Sequence, residues 1–330
     1  MKGYTVETSK SQSTVTIVLR VVTGLLFLYM IWFMGYESKA QSRKYISQFS
    51  HVQSYLNPGM TGYEGSTLRG FVRNQWAGWE GAPKTYFVSA ELDFSQLAGS
   101  GELGKNAVGI NLLSDEYGAF RETELIISYG TRIQLSKQAS LRLGAGVNIN
   151  QVRLDGNSLN TEQANDPKVM QYLGGFANMN VLDFNLGMSL THPNYYVSYG
   201  VHNVNRGSIS NGDVFMDRKP MVNIVQAGYR NRVTDSFTLI MNGMYRSQED
   251  LPDNVELNLK FLLYDRVWIG GGHRFDYANH AQLGMVMGRV NVGYVYEFPR
   301  QESYLLPNPT HELMLTFRLF EAESGTINLW

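Results

Sequence analysis

The feature that most constrains this chain is an alternation of apolar and polar residues with a period of two, running from about Thr67 to the region of Phe320. Leu141, Leu143, Ala145, Val147 and Ile149 alternate with Arg142, Gly144, Gly146, Asn148 and Asn150. Val255, Leu257, Leu259, Phe261 and Leu263 do the same against Glu256, Asn258 and Lys260, and Leu313, Leu315, Phe317 and Leu319 against Glu312, Thr316 and Arg318. Successive side chains of a strand point to opposite faces, so each segment has one apolar and one polar face. An antiparallel sandwich with one face in a soluble core would show the same pattern.

The connections separate the two architectures. Candidate strands fall at residues 66–76, 84–94, 105–114, 121–135, 138–153, 180–191, 193–203, 219–232, 234–248, 253–264, 266–276, 278–287, 289–299 and 309–320, fourteen in all. After the first pair, the even-numbered connections are tiny: Ser136-Lys137, His192, residues 231–235, Asp265 and Gly288. The odd-numbered ones carry the bulk, at residues 154–179, 204–218 and 300–308, with turn signals at Asp155-Gly156-Asn157 and Asn211-Gly212 and prolines at Pro307 and Pro309. An even-stranded outer-membrane barrel sorts its loops by parity in this way, and a sandwich has no reason to. The second connection, residues 95–104, is the misfit. Tyr264, Trp268, Tyr294, Tyr296, Phe298, Phe317 and Phe320 lie towards strand ends, where interface girdles form. The expected fold is therefore all-β: a transmembrane, antiparallel, up-and-down β-barrel of about 14 strands over residues 66–320. A strandless leader over residues 41–65 precedes it as a possible plug, and a tail, residues 321–330, follows. An even strand number returns the wall to its starting side, which places both chain ends in the periplasm.

Ahead of the leader lies an apolar run from Val21 to Met34, preceded by Lys10 and Arg20 and followed by Ser38-Lys39-Ala40. It is too short to span a bilayer, which takes about 20 residues, and fits a signal peptide over residues 1–40. Export to the outer membrane, with the lipid bilayer as first partner, follows. The chain has 28 Lys+Arg against 29 Asp+Glu, so no basic surface argues for nucleic acid. Its zero cysteines exclude disulfides, thiolate metal sites and a cysteine nucleophile. The six histidines lack metal-ligand spacing, the acidic pairs Asp115-Glu116 and Glu249-Asp250 read as solvated turns, and no phosphate loop or dinucleotide fingerprint is present. No enzyme activity, cofactor, metal or catalytic residue is expected. The polar faces carry both signs, Arg142, Lys260 and Arg318 with Glu124, Glu256 and Glu312, which suits a plugged lumen as well as a wet one.

Short motifs in order along the chain add a resemblance. Gln48-Phe49, Leu56-Asn57-Pro58-Gly59-Met60-Thr61-Gly62, Arg73-Asn74-Gln75-Trp76 and Gly81-Ala82-Pro83-Lys84-Thr85 come first. Asp115-Glu116-Tyr117-Gly118, Tyr294-Val295-Tyr296-Glu297 and Thr310-His311-Glu312-Leu313 follow. In these the chain resembles the PorP/SprF family of type IX secretion membrane proteins. It departs from the family at Gly59, Glu297 and Thr310 and in its tail. The resemblance implies an outer-membrane component that helps secrete or anchor surface proteins such as adhesins and gliding machinery, with secreted cargo and secretion-machinery components as partners. It also singles out Asn57, Pro58, Gly62, Arg73, Gln75, Trp76, Pro83, Asp115, Gly118, Tyr294, Tyr296, His311 and Glu312 as structural or partner-facing residues. A buried Arg73 needs a carboxylate partner. A general porin for small solutes is the competing reading, and a membrane-embedded hydrolase a third.

Overall fold

The computed structural model describes residues 45–98, 101–158, 172–213, 219–249, 251–300, 308–320 and 329–330. The signal peptide expected over residues 1–40 and most of the tail lie outside the described residues. The strands are β1 (Thr67–Asn74), β2 (Lys84–Asp93), β3 (Asn106–Tyr117), β4 (Phe120–Gln134), β5 (Ser140–Asp155), β6 (Phe176–Thr191), β7 (Tyr195–His202), β8 (Ile209–Gly212), β9 (Val222–Thr234), β10 (Phe237–Gln248), β11 (Leu251–Leu263), β12 (Val267–Arg274), β13 (Ala278–Met287), β14 (Val290–Pro299) and β15 (Thr310–Arg318). Each pairs antiparallel with its neighbour, and β1 pairs with β15 while β5 pairs with β6, so the sheet closes into a 14-stranded barrel with one extra strand. Closure is what permits strands to cross lipid, because an open edge would leave backbone donors and acceptors without partners.

The extra strand is β8. It pairs with β6 over Leu182 to Met179, while β7 pairs with β6 over Leu186 to Thr191, so β7 and β8 are two pieces of one interrupted strand. The alternation predicts only a loop at residues 204–218, because all four β8 residues are exposed and leave no two-residue pattern to read. Parity also holds less strictly than expected. The connections at residues 118–119 and 275–277 are tight although they open on the long-loop end.

Burial is inverted relative to a soluble protein. Leu68, Val88, Ile149, Leu257, Leu283, Leu313 and Leu315 are exposed on the outer face, whereas Arg73, Glu124, Asn148, Glu256, Lys260 and Glu312 are buried inside. Tyr264, Tyr296, Phe298 and Phe317 do face outward, as a girdle requires, but Trp268 does not. Its indole is fully buried in the lumen, with Nε1 donating to Asn291 Oδ1 at 3.2 Å. The slot is made by glycine: a Cβ on Gly284 would come within 2.3 Å of the ring.

The lumen is filled. Every residue from 45 to 62 is buried inside the barrel, in three single-turn helical pieces, Phe49–His51, Gln53–Leu56 and Pro58–Met60. The Tyr45 ring lies 5.2 Å from that of Tyr277, tilted by 52°, and under Arg274, both at the long-loop end, and Ser66 leads into β1 at the tight-turn end. The leader therefore threads the barrel along its length and enters from the long-loop side. The start of the leader, residues 41–44, lies outside the described residues, and strand parity, which governs the wall, does not set the direction of a segment inside it.

A filled lumen also decides which substitutions report on the membrane face. Asn258 is packed, with Nδ2 donating to Ser47 O at 2.8 Å, so an inward arginine there offers no mild contrast. Leu257→Arg, mid-strand on the outer face, should cost about 2–4 kcal/mol in lipid, and Val267→Arg, at a strand end, about 0–1 kcal/mol. Refolding titrations in lipid check this, and equal penalties would contradict the assigned register.

Candidate functional site

The leader is held by three sets of contacts stacked along the barrel. At the long-loop end, five ionised wall residues converge on Ser47. Arg73 on β1 pairs with Glu297 on β14 at 2.9 Å and with Glu312 on β15 at 3.1 Å. Arg274 on β12 pairs with Glu297 and with Glu256 on β11, both at 2.9 Å. Ser47 Oγ donates to Glu297 at 2.7 Å and accepts from Arg73 at 2.8 Å, while the backbone N–H groups of Ser47 and Gln48 donate to Glu312 at 3.1 and 3.2 Å. Among the described residues the leader brings no charge here. It brings the donors that the third carboxylate needs once two arginines are shared among three acids.

Midway, the leader lies on a glycine track. Gly130, Gly144, Gly187 and Gly200 stand side by side on β4, β5, β6 and β7, each directly opposite the next in the register. A Cβ on Gly144 would sit 2.2 Å from the Pro58 carbonyl carbon, and one on Gly187 would sit 1.8 Å from Asn57 Oδ1. With no side chains between, leader backbone meets wall backbone. Asn57 Nδ2 donates to Met188 O at 3.0 Å, Asn57 Oδ1 accepts from Gly59 N at 2.8 Å, and His202 Nε2 donates to Leu56 O at 3.0 Å.

At the tight-turn end, Gly62 N donates to Glu91 at 2.8 Å, and Arg69 pairs with Glu91 at 2.6 Å and with Glu64. Gly62 has φ +69, and a Cβ there would strike Ala107 Cβ at 2.4 Å, so the turn needs glycine on both counts. Beside it, Trp330 is buried in an aromatic cage: Tyr63 stacks on it at 6.0 Å, Tyr196 meets it edge-on at 4.8 Å and the Arg230 guanidinium lies 4.0 Å over its ring. Lys260 Nζ donates to Trp330 O at 2.7 Å and to Ser50 Oγ at 3.0 Å. Leader and tail thus meet in the lumen.

The residues singled out by the resemblance fall into three groups. Asn57, Pro58 and Gly62 seat the leader, and Arg73 and Glu312 form the ion-pair cluster directly across the β1–β15 seam. Gln75, Trp76, Pro83 and Gly118 shape the long-loop rim: Gln75 N donates to Pro83 O at 3.0 Å, Trp76 N to Thr310 Oγ1 at 3.2 Å, and Gly118 N to Gly81 O at 3.1 Å. Tyr294, Tyr296 and His311 are on the outer face, the Tyr294 hydroxyl 2.6 Å from His311 Nδ1, apart from the inward Glu312. Asp115 is a correction, being a buried β3 residue that accepts from Thr85 Oγ1 at 2.6 Å rather than a solvated turn. The strand extends to Tyr117, further than its apolar pattern reaches. Arg274 and Trp330 were not singled out, Glu256 and Lys260 were read only as charges of the polar face, and of the glycine track only Gly144 was named, as one residue of the polar face of its strand.

Compared with known families, residues 38–317 match the profile described as type IX secretion system membrane protein PorP/SprF. The chain belongs to this family. No curated protein matches the PorP/SprF chain described here. Among solved structures it is similar to the Acinetobacter baumannii outer membrane protein Omp33, at 10% identity over 77% of this chain and 98% of that one, TM-score 0.45. It is also similar to the CymD monoaromatic hydrocarbon channel, at 11% identity over 86% and 95%, TM-score 0.47. A third is the P. putida toluene transporter TodX, at 9% identity over 81% and 93%, TM-score 0.45. These likenesses lend nothing to the function of this PorP/SprF member.

Gly144→Ala should cost about 1–3 kcal/mol by overpacking and unseat Asn57 to Gly59, exposing the leader to protease, whereas Gly101→Ala, with nothing nearby to meet, should stay within about 0.5 kcal/mol. Melting and limited proteolysis measure both.

Proposed function

We infer that this PorP/SprF member resides in the outer membrane after signal-peptide removal and acts as a non-enzymatic adaptor of type IX secretion, helping particular surface proteins through and holding them at the cell surface. Adhesins and gliding machinery are the partners the family suggests. The observation that carries this reading is the filled lumen: leader residues 45–62 are buried throughout and tied to both ends of the wall by hydrogen bonds from their backbone N–H groups to wall carboxylates. A diffusion porin needs an open path, and this interior is packed with the chain's own residues. What the barrel offers instead is the rim at its long-loop end, where residues 156–175 join β5 to β6 and residues 203–221 join β7 to β9. The residues singled out by the resemblance support this division of labour, because those in the lumen fix the plug and those at residues 75–83 and 115–118 shape the rim.

Shortening residues 159–171 to a tight turn tests the reading. The stretch 209–212 is left alone because it pairs with β6. The variant should fold and remain heat-resistant on gels yet lose one particular protein from the cell surface. If it changes only small-solute uptake, with every surface protein in place, the adaptor reading fails in favour of a porin.

A further inference from the structure

The leader is continuous with the wall where Ser66 runs into β1, at the tight-turn end. A segment tied there clears the lumen only by leaving through the tight-turn mouth, because, drawn the other way, it would still run through the barrel. Residues 329–330 stand in that mouth. Leu329 lines a cleft of about 260 Å³ with Tyr264, Asp265 and Gly288, which lie in two of the tight turns. Trp330 is 1% exposed and wedged between wall and leader.

Wall and leader grip these two residues together. From the wall, the Arg230 guanidinium on β9 covers the indole at 4.0 Å, and its Nη1 donates to Leu329 O at 3.1 Å. Arg230 Nε donates to Pro193 O at 2.8 Å, so the turn between β6 and β7 holds the guanidinium in place. Lys260 on β11 and Ser50 of the leader both donate to Trp330 O, at 2.7 and 2.9 Å. Tyr63 stacks on the indole, and Tyr196 on β7 meets it edge-on. A cation over the ring, with aromatic neighbours beside it, makes a seat that a smaller side chain does not fill. Ser50 and Trp330 are 280 residues apart in sequence, so this anchor, unlike those at Ser47 and Gly62, is brought to the leader by another part of the chain.

We propose that Leu329 and Trp330 are a bolt across the leader's exit. With the indole in its cage, the leader stays in the lumen. With the indole withdrawn, the leader leaves as a unit through the tight-turn mouth and the barrel opens. The plugged and opened barrels are two arrangements of one chain, and the bolt sets the balance between them. Its residues lie at the tight-turn end, so the state of the lumen is set from that side of the membrane. The long-loop rim, where the adaptor reading places the secreted partner, takes no part in the release.

The chain has no cysteine, so Ser54→Cys gives a single thiol midway along the leader, at a buried position bonded to Asn111 on β3. The test uses this full-length chain in lipid, read by maleimide labelling and by planar-bilayer conductance. Adding Trp330→Ala should speed labelling at least tenfold and give long-lived openings, whereas Trp330→Phe should stay within threefold of the parent and remain closed. Arg230→Gln removes the cation but keeps the ring, and should speed labelling at least threefold. That variant decides the matter if Trp330→Ala does not fold into a heat-resistant barrel. Unchanged labelling overturns the proposal, and so does faster labelling without openings, which would mean a leader that loosens but does not leave. A rise confined to a thiol at Ser50→Cys, beside the ring, also overturns it, because a local cavity explains that result. The parent barrel stays plugged in every case, so the adaptor reading is not at stake.

Discussion

A closed wall of 14 strands encloses more space than its own inward side chains fill, and the rest of this structure follows from how that space is occupied. Lipid on the outside demands that every backbone group pair within the sheet, which fixes closure and leaves the interior as the place for polar residues. Buried charges there need partners and buried backbone needs hydrogen bonds. The leader meets both needs because it forms only single-turn helical pieces and no continuous helix or strand. Its short turns leave N–H groups free to satisfy Glu312 and Glu91, and its Asn57 to Gly59 corner is flat enough to lie on glycine.

The ion-pair cluster sits where closure is decided. Arg73 and Glu312 face each other across the β1–β15 seam, the one joint of the barrel made between the two ends of the sheet. A slip of one residue in either strand at this joint would turn its side chain outward into lipid and leave the other charge unpaired. Breaking such a pair from one side strands a buried charge at about 3–5 kcal/mol, so the cluster specifies register more than it adds stability. Ser47 ties the leader to this same joint, and seating the plug and closing the wall are therefore one event in the folded state.

Much of this was legible in the alternation. The strands at residues 84–94, 121–135, 278–287 and 289–299 fall within a residue or two of those observed, because period two is strong wherever lipid lies on one side and polar lumen on the other. β8 was illegible because its residues face no core, and Trp268 was misplaced because a strand-end aromatic looks the same whichever way it points. The carboxylate partner required by Arg73 was anticipated from burial alone, while its identity as Glu297 and Glu312 needed the register. The glycine track was hidden for the same reason. Gly130, Gly144, Gly187 and Gly200 are scattered along 71 residues, 200 minus 130 plus one, and become a row only when four strands are aligned.

The direction of the leader bears on what the barrel can do. Glu64 and Gly62 anchor it next to β1 at the tight-turn end, Ser47 anchors it at the other, and Lys260 joins it to Trp330 between. Clearing the lumen would break buried charge-assisted hydrogen bonds at three levels together and leave Glu312, Glu91 and Lys260 without those partners. That is a cost of several kcal/mol spread along the whole barrel, not a hinge at one mouth. The lumen is thus locked at three levels, and the proposed anchoring role draws on that lock, since a surface protein held against outward force needs a base that does not open.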